Sequence, residues 1–430
     1  VYKRQQYSHD SLHRVAKTEA ADTPLARITT YRDFLEPHSE LPQIIERPSV
    51  SPGDRLSIDT RYHPGSRLVA TRTVFGFEPS GMPLPPRQFT YGPLNAANQV
   101  LRVDGPRTDV DDSTALTYYE TAVSGSLCGN VGGGRCGQLA SLRNAAGHLT
   151  TFDEYSADGR LIQATDPNGL VTRFTYSPRG WVIAMTQSGD GQVRETRYER
   201  DAAGLPVKII GPGGDVMRYH WNSAQLLAAI EDQAGSRRVF EYDGRGNLTE
   251  RRVVDPSGQT VYSIHTTYDA RNHPATLREG DLSPVTFQHD ALGNLIRTID
   301  VRQGVTTIEY DGLGRATSRT DALGGRMAVE YNIHDQPVRI WAENDVETRF
   351  VRDDLGQVLE ERSPDIGVIL QGYDPAGQMV CRADAKAGAQ AGQRCEAVSG
   401  RWQYFYDALG RVTAVDDLAT PTLELGYGYD

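Results

Sequence analysis

One phrase recurs along the chain and limits what it can fold into. It reads Tyr406-Asp407-Ala408-Leu409-Gly410-Arg411-Val412 near the C-terminus, and Tyr310-Asp311-Gly312-Leu313-Gly314-Arg315 and Tyr242-Asp243-Gly244-Arg245-Gly246-Asn247-Leu248 further back. His289-Asp290-Ala291-Leu292-Gly293-Asn294-Leu295 and Tyr373-Asp374-Pro375-Ala376-Gly377-Gln378-Met379 are further copies. Looser ones begin at Tyr155, Tyr176, Arg200, Trp221, Tyr268, Tyr331 and Arg352. The first position of the phrase therefore falls at 155, 176, 200, 221, 242, 268, 289, 310, 331, 352, 373 and 406, and eight of the eleven steps are 21 residues. The other steps, 24, 26 and 33, each carry a local insertion. A fixed period in this range marks a repeat architecture.

The chemistry of one unit predicts a β-hairpin. Phe240 precedes Tyr242 by two positions, as Ile308 precedes Tyr310 and Val329 precedes Tyr331, so the residues leading to the key position alternate as in a strand. The Asp that follows can accept from backbone amides two residues on. The Gly three residues after it suits a type I turn closed by a residue at positive φ, and a Leu or Val two residues later starts the return strand. A second turn lies midway, as in Asp166-Pro167-Asn168-Gly169, Asp255-Pro256-Ser257-Gly258 and Asp321-Ala322-Leu323-Gly324, with Asp232-Gln233-Ala234-Gly235 as a looser form. A single hairpin is marginal in water, so neighbouring units must pair edge to edge. The expected fold class is all-β: a repetitive antiparallel β-hairpin array that grows two strands at a time into a long, twisted and coiled sheet.

Three stretches follow from the pattern. Residues 1–24 read as poorly ordered or as a short polar helix from Ser11 to Ala21. Residues 25–142 read as degenerate hairpin repeats: Tyr62-His63-Pro64-Gly65-Ser66-Arg67-Leu68 keeps the turn, and Pro42, Pro48 and Pro52 argue against helix. Residues 143–430 read as the regular array. It is expected to be truncated, because Tyr427-Gly428-Tyr429-Asp430 starts another phrase and the chain begins with Val1, so the sequence reads as a fragment of something longer. No apolar run approaches the roughly 20 residues of a membrane helix. The formal net charge of −11 and the scattered basic residues argue against binding a nucleic-acid backbone. The Arg that often follows the turn Gly reads as a solvated or cross-strand-paired residue.

Several constellations invite chemistry, and each has a plainer explanation. Cys128/Cys136 and Cys381/Cys395 bracket Gly/Ala-rich loops without zinc-knuckle spacing. Each couple can staple its loop in an oxidising compartment, or stand as two free thiols. Gly129 to Cys136 resembles a phosphate loop but lacks its Lys and Ser/Thr, so a flexible loop is the better reading. Asp109, Asp111 and Asp112 could hold a cation, yet no Glu or Gly completes a calcium loop, and a solvated connection from Asp104 to Thr114 explains them. Of the ten histidines only His9 and His13 have HxxxH spacing and none forms HExxH, and His289 and Trp221 occupy the Tyr slot of their repeats. An Asp present in nearly every unit is better explained by its turn than by paired-carboxylate hydrolysis. No catalytic, cofactor-binding or metal-binding residue is assigned, no cofactor is expected, and the chain does not read as an enzyme.

The phrase Tyr-Asp-x-x-Gly-Arg/Asn-Leu/Val at about 21 residues is the YD repeat. The array resembles bacterial RHS-repeat proteins, which are related to the B/C components of insecticidal Tc toxins, to wall-associated contact-dependent toxins and to animal teneurins. The resemblance covers residues 143–430 and, more weakly, 25–142. It implies a shell-like sheet that encloses a C-terminal toxin, and therefore a structural section of a secreted polymorphic-toxin shell. The partners it implies are the chain's own C-terminal toxin domain or cargo polypeptide, and a secretion-apparatus spike or cell-surface glycans; the location it implies is secreted or on the bacterial surface. No residue inherits a catalytic role. A cell-surface adhesion or carbohydrate-binding array is the alternative, and it would require the repeated aromatics to lie exposed.

Overall fold

The structure is a computed structural model that describes residues 5–9, 15–20, 27–35, 40–119, 134–420 and 425–429. The chain forms two compact units. One comprises residues 1–116, 143–147 and 308–430; the other comprises 117–142 and 148–307. In each unit the secondary structure is almost entirely antiparallel strand, with one short 3-10 turn at Cys395–Ala397 among the described residues. No helix of the described residues is long and apolar enough to cross a membrane.

Within the second unit, strands pair with their neighbours in chain order. Arg237–Tyr242 pairs with Leu248–Val254, which pairs with Thr260–Tyr268, then Pro274–Glu279, Val285–His289 and Leu295–Ile299. The first unit repeats the scheme, for example from Arg326–Tyr331 through Pro337–Trp341, Glu347–Arg352, Val358–Ser363 and Gly367–Tyr373 to Met379–Ala383. The hairpins are shaped as their sequences dictate. Asp243 Oδ1 accepts from the backbone N–H of Arg245 and of Asn247, both at 2.9 Å. Gly246 closes the turn at φ 85°, a conformation that a Cβ would strain. The register then slips by one residue at Tyr242, opposite Leu248, as in a hairpin closed through a bulge.

The key position does more than end a strand. Tyr242 Oη donates to the carbonyl of Leu227 at 2.9 Å, and Leu227 is the first residue of the preceding repeat's return strand. Tyr176 does the same to Leu161 (2.7 Å), Tyr268 to Leu248 (2.8 Å), Tyr331 to Ala316 (2.7 Å) and Tyr406 to Met379 (2.7 Å). The loose copies keep the bond with other chemistry. Trp221 donates its indole N–H to Pro206 O at 2.8 Å, and Arg200 and Arg352 donate Nε–H to Val182 O and Pro337 O at 3.1 and 2.9 Å. Tyr, Trp and Arg share two properties that make this possible: an apolar ring or stem to cover the neighbouring strand and a distant N–H or O–H donor. The twelve residues at this position are all half-buried.

At Arg315 and Arg411 the Arg after the turn Gly is neither free in solvent nor paired across the strand, whereas Arg160 is exposed and pairs with Asp158. Arg315 and Arg411 bond the second carboxylate oxygen of their own turn Asp, Asp311 and Asp407, at 2.6 and 2.7 Å. Each guanidinium also lies over the ring of the next repeat's Tyr, Tyr331 at 4.8 Å and Tyr429 at 4.3 Å.

One expectation changes, and one open alternative is decided. Val15–Ala20 is a strand, paired with Gln5–His9 and with Arg27–Phe34, where a short helix or disorder was expected. A polar stretch gains more from edge pairing with two strands than from a short helix of marginal intrinsic stability. The loop stretching one repeat to 33 residues is stapled by a Cys381–Cys395 disulfide, Cα–Cα 6.0 Å. It sits in a small core with Leu370, Ala383 and Val398. Cys136 is also disulfide-bonded, while Cys128 and Gly129 to Gly133 of the Gly-rich loop lie outside the described residues.

Two outcomes follow. Tyr242→Phe keeps the ring but removes the donor to Leu227 O, and is expected to lower stability by about 1 kcal/mol in chemical denaturation. Replacing both Cys381 and Cys395 by Ser is expected to cost about 3 kcal/mol, because a closed loop of that size is released in the unfolded chain; an unchanged denaturation midpoint would contradict this.

Candidate functional site

The strongest concentration of buried charge lies in the first unit, at the turn of the repeat that begins with Arg352. Most other repeats place a small residue or Pro after the turn Asp; here the pair is Asp353-Asp354. Both carboxylates are buried, Asp353 fully. Asp353 does the ordinary turn work, accepting from the N–H of Leu355 and Gln357 at 2.9 Å through Oδ1. Its Oδ2 is buried without a hydrogen-bond partner among the described residues. Burial pushes the Asp353 carboxyl up to about 6, and the adjacent Asp354 charge adds to that.

Asp354 serves a different purpose. Ser49 Oγ donates to its Oδ2 at 2.7 Å and Phe77 N–H does so at 2.8 Å. Val50 N–H donates to Oδ1 at 2.6 Å, and His334 Nε2 lies 3.2 Å from the same oxygen. Asp354 N–H in turn donates to Phe77 O at 3.0 Å. Burial pushes this carboxyl up, but the donors of His334, Ser49, Val50 and Phe77 outweigh it and hold Asp354 below the usual carboxylate range. Gly76 makes the approach possible: a Cβ there would come within 2.9 Å of Asp354 Cβ.

One aspartate thus clasps two N-terminal loops, around 49–51 and 76–77, to a repeat some 300 residues later. Further ties run alongside. Arg87 Nε donates to Pro375 O at 2.8 Å, Arg394 pairs with Glu78 at 3.3 Å, and Glu360 accepts from Gly392 N–H at 2.7 Å. Arg107, only 4% exposed in its side chain, donates to Asp407 O at 2.5 Å. Two open cavities flank the clasp. One of about 750 Å³ is lined by Ser49, Pro52, Asn332 and Phe350; one of about 330 Å³ is lined by Met82, Leu84, Asp353 and Tyr373.

The residues singled out from sequence are not brought together as a catalytic centre. Asp109 pairs with Arg107, Asp111 accepts from Ser113 N–H and Arg102, and Asp112 accepts from the N–H of Gly105 and Arg107. Their carboxylates shape the loop that presents Arg107 to the turn of Asp407. The Asp354 clasp went unread in the sequence, although one signal for it was there: a second Asp where most other repeats have Gly, Ala or Pro.

Residues 155–193, 221–260 and 285–326 match the family model described as RHS Repeat. The chain is similar to the double-stranded DNA deaminase toxin A of Burkholderia cenocepacia, 28% identical over 267 residues, which covers 54% of this chain and 18% of that protein. It is also similar to teneurin-1 of Gallus gallus, 30% identical over 216 residues, covering 41% of this chain and 8% of that protein. Among solved structures it is similar to a crystal structure of TcdB2-TccC3, with TM-score 0.53 and 12% identity over 98% of this chain and 22% of that chain. At that identity the likeness is one of fold. The chain spans less than a fifth of the length of these curated relatives.

The two aspartates are expected to respond oppositely. A carboxyl raised to about 6 stabilises the fold most below its ordinary range, and that contribution is lost as pH rises through about 6. The stability of Asp353→Asn relative to the parent should therefore rise as pH is taken from about 4 to about 7.5 in paired thermal melts, and a difference that does not change with pH would contradict this. Asp354 is lowered, so its contribution is lost as pH falls. Asp354→Ala should leave Ser49, Val50 and Phe77 without their acceptor, and limited proteolysis should then cut first within 48–54 or 76–85.

Proposed function

Since this chain belongs to the RHS-repeat (YD-repeat) family, we propose that it is a section of the wall of a toxin shell that encloses and protects a polypeptide cargo until delivery. The observation that carries this reading is the repeat-to-repeat bond of the key residues. At ten of the twelve half-buried positions the side chain bonds a carbonyl of the preceding repeat, and where Tyr is replaced, Trp221, Arg200 and Arg352 still make the bond. Such a sheet resists opening between any two units, which a container needs and a binding surface does not. The likeness in fold to TcdB2-TccC3 supports the same reading. The regular array over 143–430 and the degenerate segment over 25–142 both contribute wall, and the Asp354 clasp fastens one to the other.

The role is structural. The deaminase and teneurin names of the similar proteins describe those proteins, and the buried aspartates here are occupied with turn and loop contacts. A secreted or cell-surface location accords with the Cys381–Cys395 disulfide, which persists in oxidising surroundings. The adhesion reading needs exposed rows of aromatics, and the twelve key positions do not provide them.

Protease protection tests the proposal. In the intact parent polypeptide, the segment that follows the array should survive protease levels that digest the same segment made alone. Equal digestion in both settings would overturn the shell. The described chain is also expected not to bind a glycan array; tight glycan binding by the folded chain would favour adhesion instead.

A further inference from the structure

The row of slot bonds changes character at one residue in the second unit. His289 occupies the key position, but an imidazole is shorter than Tyr, Trp or Arg and its nitrogens lie closer to the backbone. Among the described residues it makes no hydrogen bond to a carbonyl; its ring instead lies 5.0 Å from the ring of His273, tilted by 35°. His273 is itself an exception. It takes the turn-exit position, four residues after Asp269, where Asn247 and Asn294 donate to their turn aspartates at 2.9 Å. His273 Nδ1 lies 3.2 Å from Asp269 Oδ2 in that same relation. Two departures from the repeat, each a histidine, thus meet in space.

We propose that Asp269, His273 and His289 form a binding site for a borderline divalent transition metal, Zn²⁺ foremost. Each residue offers one ligand atom, and these atoms all lie within 4.8 Å of one another. Two imidazole nitrogens and one carboxylate oxygen are a donor set that suits zinc. The 3.2 Å between His273 Nδ1 and Asp269 Oδ2 is close to the donor separation of a tetrahedral site, about 3.3 Å for bonds near 2.0 Å. The wider spread of the set closes by side-chain rotation. Asp269 stays fixed, because its Oδ1 serves the turn, accepting from the N–H of Arg271 and His273, while Oδ2 faces the imidazole, so the rotation is that of the His289 ring. The backbone holds His273 in place: its Nε2 would lie 2.8 Å from a Cβ at Gly293, so only a glycine leaves room for the ring against the next turn.

The three residues are half-buried rather than sealed, so an ion can enter. His289 also lines an open cavity of about 410 Å³ together with Tyr268, Thr266 and Phe287, which gives its ring room to turn. The metal would take over, at this repeat, the linking role that the Tyr-to-carbonyl bond plays at the others. It would join the turn after Tyr268 to the end of Val285–His289.

The repeat itself supplies variants that should fold. His289→Tyr installs the residue that Tyr242, Tyr268 and Tyr310 already place in the slot, and His273→Asn installs the residue of Asn247 and Asn294. The whole chain, freed of metal by chelation and dialysis, is titrated with Zn²⁺ by calorimetry and with Co²⁺ by visible absorption, and is melted with and without Zn²⁺. The expected result is one equivalent bound, a Co²⁺ spectrum of low-coordinate type, and a melting temperature raised by Zn²⁺ in the parent only. Each variant should bind more weakly by more than the roughly 10–100-fold that loss of a merely orienting partner costs, with its circular dichroism unchanged. Absence of binding by the parent chain would overturn the site, as would unchanged binding by His289→Tyr.

Discussion

The fold depends on a hydrogen bond from the tip of a flat side chain to the carbonyl that opens the preceding repeat's return strand. A hairpin has too little apolar surface to be stable alone, and few side chains here are fully buried. What accumulates instead is a row of half-buried plates, most of them pinned at the far end to the previous unit. The turn prepares that geometry. Its Asp holds two amides, its Gly allows the left-handed residue, and the resulting bulge shifts the key residue into line with the neighbouring strand. Arg315 and Arg411 then carry the connection the other way, from one turn to the next repeat's ring.

The same logic explains which substitutions the repeat tolerates. Trp221, Arg200 and Arg352 look like losses of the motif when the sequence is read by identity. Read by chemistry they are the same element, an apolar ring or stem with a remote donor. His289 is the one that differs in kind, because its ring is flat but short. A scaffold that repeats a single interaction many times can give one copy a new use while its neighbours keep the sheet together.

Asp353 and Asp354 illustrate a division of labour between adjacent identical residues. The first is a turn aspartate with one oxygen buried and unpartnered, and its carboxyl rises to about 6. The second is surrounded by donors from loops far away in the chain and is lowered. Chemistry of the side chain is constant; the number of N–H and O–H groups pointed at it decides the sign. Such buried carboxylates resemble catalytic ones in isolation, but here their donors belong to the loops being held.

Local rules carried the sequence a long way. The period of 21 residues, the Asp and Gly of each turn, and the alternation before Tyr242 or Tyr310 are short-range requirements of backbone geometry, so they are written into contiguous residues and could be read from them. They determined the all-β class, the hairpins and the family resemblance. Tertiary structure alone decided the contacts between residues that no turn or strand period relates. Ser49 and Asp354 are 305 positions apart, and Arg107 meets the carbonyl of Asp407 across 300. His273 and His289 lie on different hairpins, and their rings come together only because edge-to-edge pairing stacks the turn of one against the slot of the next. Spacing along the chain cannot encode which loop a buried carboxylate will hold, since that depends on how the paired strands bring distant backbone amides into its reach.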